Sequence, residues 1–511
     1  LIDGKILTMN DSSPSAQAVA IKGDQIIKVG STEEISYLIN EKTKIVYLNG
    51  STVLPGFIDT HIHVADFGRF LLWMNLTETG SIGRMQVLLG ERVDQTTENK
   101  WIVGRGWDEK KFAEKRLPSR FDLDIISPSN PVIFYHQSGQ IALVNSKALQ
   151  LAEITKETKA PDGGIIDLDE KSGEPTGILR EKATDLVWKL IPESNVGDLV
   201  EFAGLACEKI VQAGITSIHW LAESELDIMI LRKILELKKT ALKIFVIIPI
   251  NLLGNSSLHQ SLENLAKIGG IEVCIDGYLA SRTAALSESC HEEKGEKLLF
   301  TEKDLKNSVS NIIRKGFQVV FHAMGDKAVD LALNVVDKIN SKGRCRIDPA
   351  ALLNPNLIKR LKRSKVVVSV QPLVAASEFS VYDAVEYLGK DRARWLYPLR
   401  TLFREGICVC GGSDCPMEPL NPFLSIQSAV NRQFFREEEI TINEALQMYT
   451  TNAAYSSSEE RKKGSVEEGK KADLCVLSDD PMEIPTSNLH RIKIEMTIID
   501  GKIVFENQSN K

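Results

Sequence analysis

Val53-Leu54-Pro55-Gly56-Phe57-Ile58-Asp59-Thr60-His61-Ile62-His63 is an apolar run that ends in two histidines one residue apart. The Pro-Gly pair marks where a strand begins. Alternate residues of a strand point the same way, so His61 and His63 present both imidazoles on one side of the chain. A bare His-x-His is a weak signal. The apolar lead-in, the Pro-Gly start and Asp59 two residues ahead strengthen it, and with only 8 histidines in 511 residues a pair at a strand end is a concentration. The arrangement suits a divalent metal ion.

Downstream, residues 200–455 alternate helical and strand patterns. A helix-like stretch from Leu199 to Ala213 leads to a strand at Gly214 to Trp220, and one from Asp227 to Lys239 leads to a strand at Leu242 to Ile248. Further strands are expected at Ile271 to Ile275, at Gly316 to His322, near Cys345, at Lys365 to Gln371 and at Ile407 to Asp414. With the strand before His61 these make about eight, most followed by helices. The reading is an α/β chain built on a (β/α)8 TIM-like barrel, with its chemistry at the carboxyl ends of the strands. Those ends offer His61 and His63, then His219, Glu272 with Asp276, His322, Gln371 and Asp414.

The two ends of the chain read differently. Ala18 to Gly30 is a hairpin turning at Lys22-Gly23-Asp24, and Ala472 to Leu477 and Met496 to Phe505 are strands, the latter interrupted by the Asp500-Gly501 turn. Neither end alone has enough strands for a core, so residues 1–54 and 456–511 are expected to form one composite β-sandwich. The barrel then takes residues 55–64 and 199–455. Residues 65–198 are too long for one barrel connection and are expected to form an inserted α+β subdomain over the barrel mouth.

A length of 511 residues exceeds what one core usually covers, in keeping with more than one unit. The net charge of −7, with both signs interspersed, provides no basic face for nucleic acid and no polybasic membrane anchor. No run of about 18 apolar residues is present, so no membrane span is expected. The eight cysteines are scattered without paired metal spacing, and Cys408 and Cys410 fall on a buried strand. Reduced thiols and a cytoplasmic location are therefore expected. The sequence opens at Leu1 and not at a methionine, which leaves room for a preceding segment. The expected partner is a small-molecule substrate, and a homo-oligomer is compatible with the composition.

Imidazoles and carboxylates together suit Zn or another first-row divalent ion with one position left for water. Asp414 is the candidate general base toward a metal-activated water; its other reading is a helix cap with Ser413. Trp107 either lines the substrate pocket with Asp108 or packs within its glycine-rich turn. Arg282, close after Asp276-Gly277, is a candidate anchor for an acidic or carbonyl group of the substrate. His136, His259, His291 and His490 are expected to be structural or solvated, and the basic run from Lys359 to Lys365 a solvated helix face.

Several motifs together resemble the amidohydrolase superfamily, and within it amidohydrolase family 3, the YtcJ-like proteins that include N-substituted formamide deformylase. They are the stretch from Pro55 to His63, Phe321-His322-Ala323-Met324-Gly325-Asp326, Gly412-Ser413-Asp414-Cys415-Pro416, Trp101 to Asp108, Asn145 to Leu149, Asp276 to Ala285, and Gly464 to Leu474. The resemblance spans essentially the whole chain. It implies a metal-dependent hydrolase of amide, N-formyl or other non-peptide carbon–nitrogen bonds. His61, His63 and His322 would be metal ligands, and Asp414 both ligand and base. Glu272 falls where many relatives carry a lysine that is carboxylated to bridge two ions, and is already a carboxylate. The alternatives are a heterocyclic deaminase of the same superfamily and a catalytically impaired binding homologue; some relatives are named as exoenzyme regulatory proteins.

Two departures from the family pattern bear on the metal. Relatives usually read Arg-Ile-Glu-His where this chain reads Arg346-Ile347-Asp348-Pro349, so a histidine ligand is replaced by a residue with no side-chain donor atom. The second ion then loses a ligand unless Asp348 or His219 substitutes, and one tightly bound ion is expected in preference to two. Gln140 stands where relatives often carry a histidine, in a segment expected to touch substrate.

Overall fold

The computed structural model describes residues 1–192, 195–255, 262, 265–288, 297–339 and 344–508, which form two compact units: residues 1–67 with 203–511, and residues 68–202. His259, His291 and Cys290 lie outside the described residues.

The larger unit holds an eight-stranded parallel sheet. Its strands are β1 (Phe57–Ile62), β2 (Ile215–Leu221), β3 (Lys243–Pro249), β4 (Lys267–Cys274), β5 (Gln318–His322), β6 (Arg346–Asp348), β7 (Val367–Val370) and β8 (Val409–Gly411). Each pairs in parallel with the next in sequence, from β1 through to β8. Strands buried on both faces need near-continuous apolar sequence, as in Val367-Val368, and gain it from the helices that separate them, such as Val196–Gln212 before β2. The sheet is nearly closed into a barrel. Where β8 meets β1, Thr60 Oγ1 donates to the Gly411 carbonyl at 3.0 Å, and the Asp414 amide donates to the His61 carbonyl at 2.9 Å.

The same unit carries a six-stranded sheet drawn from both chain ends, in the order Ser15–Ala16, Lys5–Leu7, Thr52–Pro55, Leu474–Leu477, Ile494–Ile499, Lys502–Glu506. Leu54 pairs with Cys475 in the antiparallel ladder that joins the two ends. The hairpin Ala18–Lys22/Gln25–Gly30 contributes Val19 and Ile26 to the apolar cluster that also holds Ile6, Val53, Val476 and Ile498. Only Gly56 separates Pro55 of this sheet from Phe57 of the barrel, so one continuous run serves two cores.

Residues 68–202 form a mixed six-stranded sheet in the order Gly164–Leu168, Pro175–Glu181, Ile141–Val144, Val132–His136, Ile102–Trp107, Met74–Asn75. Because successive strand residues face opposite ways, Val132 and Phe134 enter one apolar cluster and Ile133 another, which makes both faces of this sheet core. No helix among the described residues is long and apolar enough to cross a membrane.

Candidate metal centre

His61 is the penultimate residue of β1 and His63 lies just past its end, with ring centroids 5.2 Å apart. Both rings turn Nε2 toward one carboxylate oxygen: Asp414 Oδ1 is 3.4 Å from His61 Nε2 and 3.2 Å from His63 Nε2. Each of the three residues offers one ligand atom, and these atoms lie within 4.8 Å of one another. Two imidazole nitrogens and one carboxylate oxygen form a donor set that fits a first-row divalent ion with positions left open.

The backbone is built to hold this convergence. Asp414 has φ of +58°, the left-handed region that costs a non-glycine residue on the order of 1–3 kcal/mol and persists where neighbours fix it. Its amide is held by the His61 carbonyl, and its own carbonyl accepts from Met417 N–H at 2.8 Å. Asp59 Oδ1 accepts from the His61 amide at 3.1 Å and from the Ser413 amide at 3.0 Å, joining β1 to the loop after β8. Gly412 leaves the space this approach requires, for a Cβ there would sit 2.5 Å from His61 Cβ and 2.7 Å from its backbone nitrogen.

On their far sides the two imidazoles meet other carboxylates. His61 Nδ1 is 2.9 Å from Asp348 Oδ2, and His63 Nδ1 is 3.2 Å from Glu223 Oε1. These charges decide the protonation of the metal-free cluster. Burial disfavours a charged His61, but Asp348 and Asp414 outweigh it and raise the imidazole well above its usual range. Burial likewise opposes charge on His63, and the hydrogen bonds to Asp414 and Glu223 prevail, raising it to about 9. Asp414, pushed up by burial, is drawn down to about 2 by the two histidines.

Asp348 and His219, the two residues the sequence offers in place of the ligand absent at Pro349, are both engaged by Arg346. Asp348 is buried and already occupied: it takes His61 Nδ1, Gln371 Nε2 at 2.7 Å, and a short hydrogen bond from Arg346 Nη2. Arg346, fully buried inside the barrel, also donates through Nη1 to His219 Nδ1 at 3.0 Å. A guanidinium only donates, so His219 Nδ1 accepts and the neutral ring carries its hydrogen on Nε2, where a metal would need a lone pair. Burial first, and the Arg346 charge second, hold His219 neutral, with its pKa well below the usual range.

Glu272 and His322 are not part of that group of three atoms. Among the described residues neither joins a group of three ligand atoms within 4.8 Å. Burial raises the Glu272 carboxyl above its usual range, against the opposing pull of His322 and His61. His322 ends β5 almost fully buried, its Nε2 without a hydrogen-bond partner among the described residues and its ring 4.9 Å from that of Tyr278. Asp276 clamps the backbone around it, its carboxylate accepting from the amides of Ala285 at 2.8 Å, Met324 at 2.9 Å and Gly325 at 2.8 Å.

The expected substrate contacts fare unequally. Trp107 is fully buried in the core of the 68–202 unit, its indole N–H donating to the Phe134 carbonyl at 2.8 Å, and the packing reading of this aromatic replaces the pocket-lining one. Arg282 is exposed on the loop after β4, with its guanidinium 5.3 Å over the Tyr387 ring. Gln140 is exposed, its backbone N–H donating to Ser138 Oγ at 3.3 Å. His136, expected to be structural, closes its strand with Nδ1 accepting from the Ser138 amide at 3.0 Å and Nε2 3.1 Å from Glu109. His490 Nδ1 lies 2.8 Å from Gln427 Oε1. Cys410 is buried in an apolar cluster with Ile58 and Val367.

The family model described as "Amidohydrolase family" matches residues 44–505. The chain belongs to the amidohydrolase family. Among its relatives, YtcJ of Bacillus subtilis, described as an amidohydrolase, is 32% identical over 527 residues, covering 98% of both chains. The N-substituted formamide deformylase of Arthrobacter pascens is 25% identical over 541 residues, covering 99% of this chain and 98% of its own. Among solved structures, a metal-dependent hydrolase of uncharacterised function from Pyrococcus furiosus superposes with a TM-score of 0.75 at 28% identity, covering 94% of this chain and 99% of that one. Within this amidohydrolase frame the residues that converge are His61, His63 and Asp414.

Proposed function

We propose that this chain is a metal-dependent hydrolase of a non-peptide carbon–nitrogen bond, an amide or N-formyl amine, holding one tightly bound divalent ion, most simply Zn. The observation that carries this reading is the convergence of His61 Nε2 and His63 Nε2 on Asp414 Oδ1 at the carboxyl end of a barrel. His61, His63 and Asp414 would hold the ion, with His322 and Glu272 as further proposed ligands. When bound, such an ion supplies a Lewis acid and lowers the pKa of water toward neutrality.

The chain's own groups account for the rest of the proposed reaction. Asp414, whose carboxyl the two imidazoles hold below the ordinary carboxylate range, accepts the proton of the attacking water and returns it to the leaving nitrogen. The buried Nε2 of His322, without a hydrogen-bond partner among the described residues, is the atom His322 would offer the ion. Arg282 is the proposed anchor for the remainder of the substrate. One ion is favoured because Arg346 engages both Asp348 and His219, the two residues able to replace the missing ligand at Pro349.

The test is a panel of N-formyl and N-acyl amines turned over by metal-loaded protein beside Asp414→Asn, with the metal content counted on the same sample. The expected outcome is one ion per chain and metal-dependent turnover lost in Asp414→Asn. Two tightly held ions would overturn the single-ion reading; absence of metal-dependent turnover would overturn the hydrolase.

A further inference from the structure

The two proposed ligand imidazoles are gripped from behind by carboxylates that differ sharply in rigidity. Asp348, on β6, has a side chain only 2% exposed and is fixed by Arg346 and Gln371 as well as by His61 Nδ1. Glu223, just past β2, has a side chain 55% exposed and meets His63 Nδ1 at 3.2 Å. A carboxylate on one ring nitrogen keeps the hydrogen there, sets the plane of the ring, and aims the lone pair of the other nitrogen. Such partners typically contribute about 10–100-fold in metal affinity.

We propose that Asp348 and Glu223 are positioning residues of unequal grip: Asp348 makes His61 the permanent half of the seat, and Glu223 makes His63 the half through which the ion enters and leaves. The proposal rests on the reading of His61, His63 and Asp414 as the metal seat. A water-exposed glutamate can leave Nδ1 and let the His63 ring turn, whereas Asp348 cannot leave His61 without abandoning a buried arginine, a loss that protein interiors resist. Release therefore starts at His63.

The decisive measurement is transfer of the ion from loaded protein to an excess of chelator, followed for wild type, Glu223→Gln and Glu223→Ala. Glu223 is exposed enough for both variants to fold, which thermal melting of the metal-free proteins checks. Release is expected to accelerate about 10–100-fold in Glu223→Ala and less in Glu223→Gln, whose amide oxygen still accepts from Nδ1. Cobalt(II)-loaded Glu223→Ala should keep the wild-type number and intensity of visible bands, since no ligand is removed. Equal release rates in wild type and Glu223→Ala would overturn the proposal, and so would loss of the cobalt bands, which would make Glu223 itself a ligand. Wild-type protein that binds no ion tightly would instead overturn the metal seat on which the proposal rests.

Discussion

Replacing Gly412 with alanine tests the closure of the barrel at its reactive end. Gly412 does not have positive φ, so alanine can adopt its backbone and only space forbids the substitution. The new Cβ would lie 2.5 Å from His61 Cβ and 3.0 Å from His61 Cα. Carbon atoms come to rest at about 3.5–4.0 Å, so the β8 loop and β1 must part by roughly 1 Å. The neighbour is backbone with a buried imidazole attached, and it has no flexible end to swing aside. Overpacking of this kind costs about 1–3 kcal/mol. The same shift stretches the bond from the Asp414 amide to the His61 carbonyl, now 2.9 Å, and carries Asp414 away from both imidazoles. A misplacement of about 1 Å at a reacting group is enough for roughly 100-fold in rate. Gly412→Ala should therefore lose affinity for the ion and most of its turnover while unfolding at a lower urea concentration. Wild-type metal affinity and stability in this variant would refute the contact between Gly412 and His61.

In metal-free protein His63 should hold its proton to about pH 9, observable by NMR as an imidazole that does not titrate near 6.5. Because the folded-state pKa is raised, the stabilisation from His63 is complete below pH 6.5 and disappears as the pH rises through 9; a stability difference between wild type and His63→Gln that stays constant from pH 6.5 to 9 would contradict this. The Asp414 contribution runs the other way, present above its unfolded value near 3.8 and lost as the pH falls through about 2. Arg346→Met should destabilise by about 3–5 kcal/mol in urea unfolding, because it strands the buried Asp348 carboxylate. Arg346→Met combined with Asp348→Leu should recover much of that loss.

The barrel was legible in the sequence because its signal is local: apolar runs of strand length alternate with helix-length segments, and the polar residues at their ends stand out. His61, His63 and Asp414 came from that pattern. The groups that arrange them did not, because each acts across the barrel. Asp348 is 287 positions from His61, and Ser413 is 354 from Asp59; no periodicity records such pairings. His219 looked like a spare ligand by its place on β2, and only the Arg346 guanidinium against its Nδ1 assigns it a different task. Trp107 was ambiguous for another reason. An aromatic in a glycine-rich turn reads alike whether it faces solvent or core, and the Phe134 carbonyl that takes its N–H comes from the neighbouring strand. Pro349 poses the question of a replacement ligand, and the three partners of Asp348 come from elements that no local pattern connects.

The run from Thr52 to Ile62 also sets a timetable for synthesis. Pro55 and Cys475, 420 positions apart, meet in the sheet of the chain ends. At about 5–20 residues per second, the ribosome needs roughly 20–80 s to deliver the second after the first. For that interval Thr52–Pro55 is flanked by Lys5–Leu7 alone, and the ladder leading straight into β1 stays half built. The anchorage of the strand that carries His61 is therefore completed only once the last strands of the chain have been made. Until then an apolar segment stands in need of shielding, and slowing translation late in the message would lengthen that exposure.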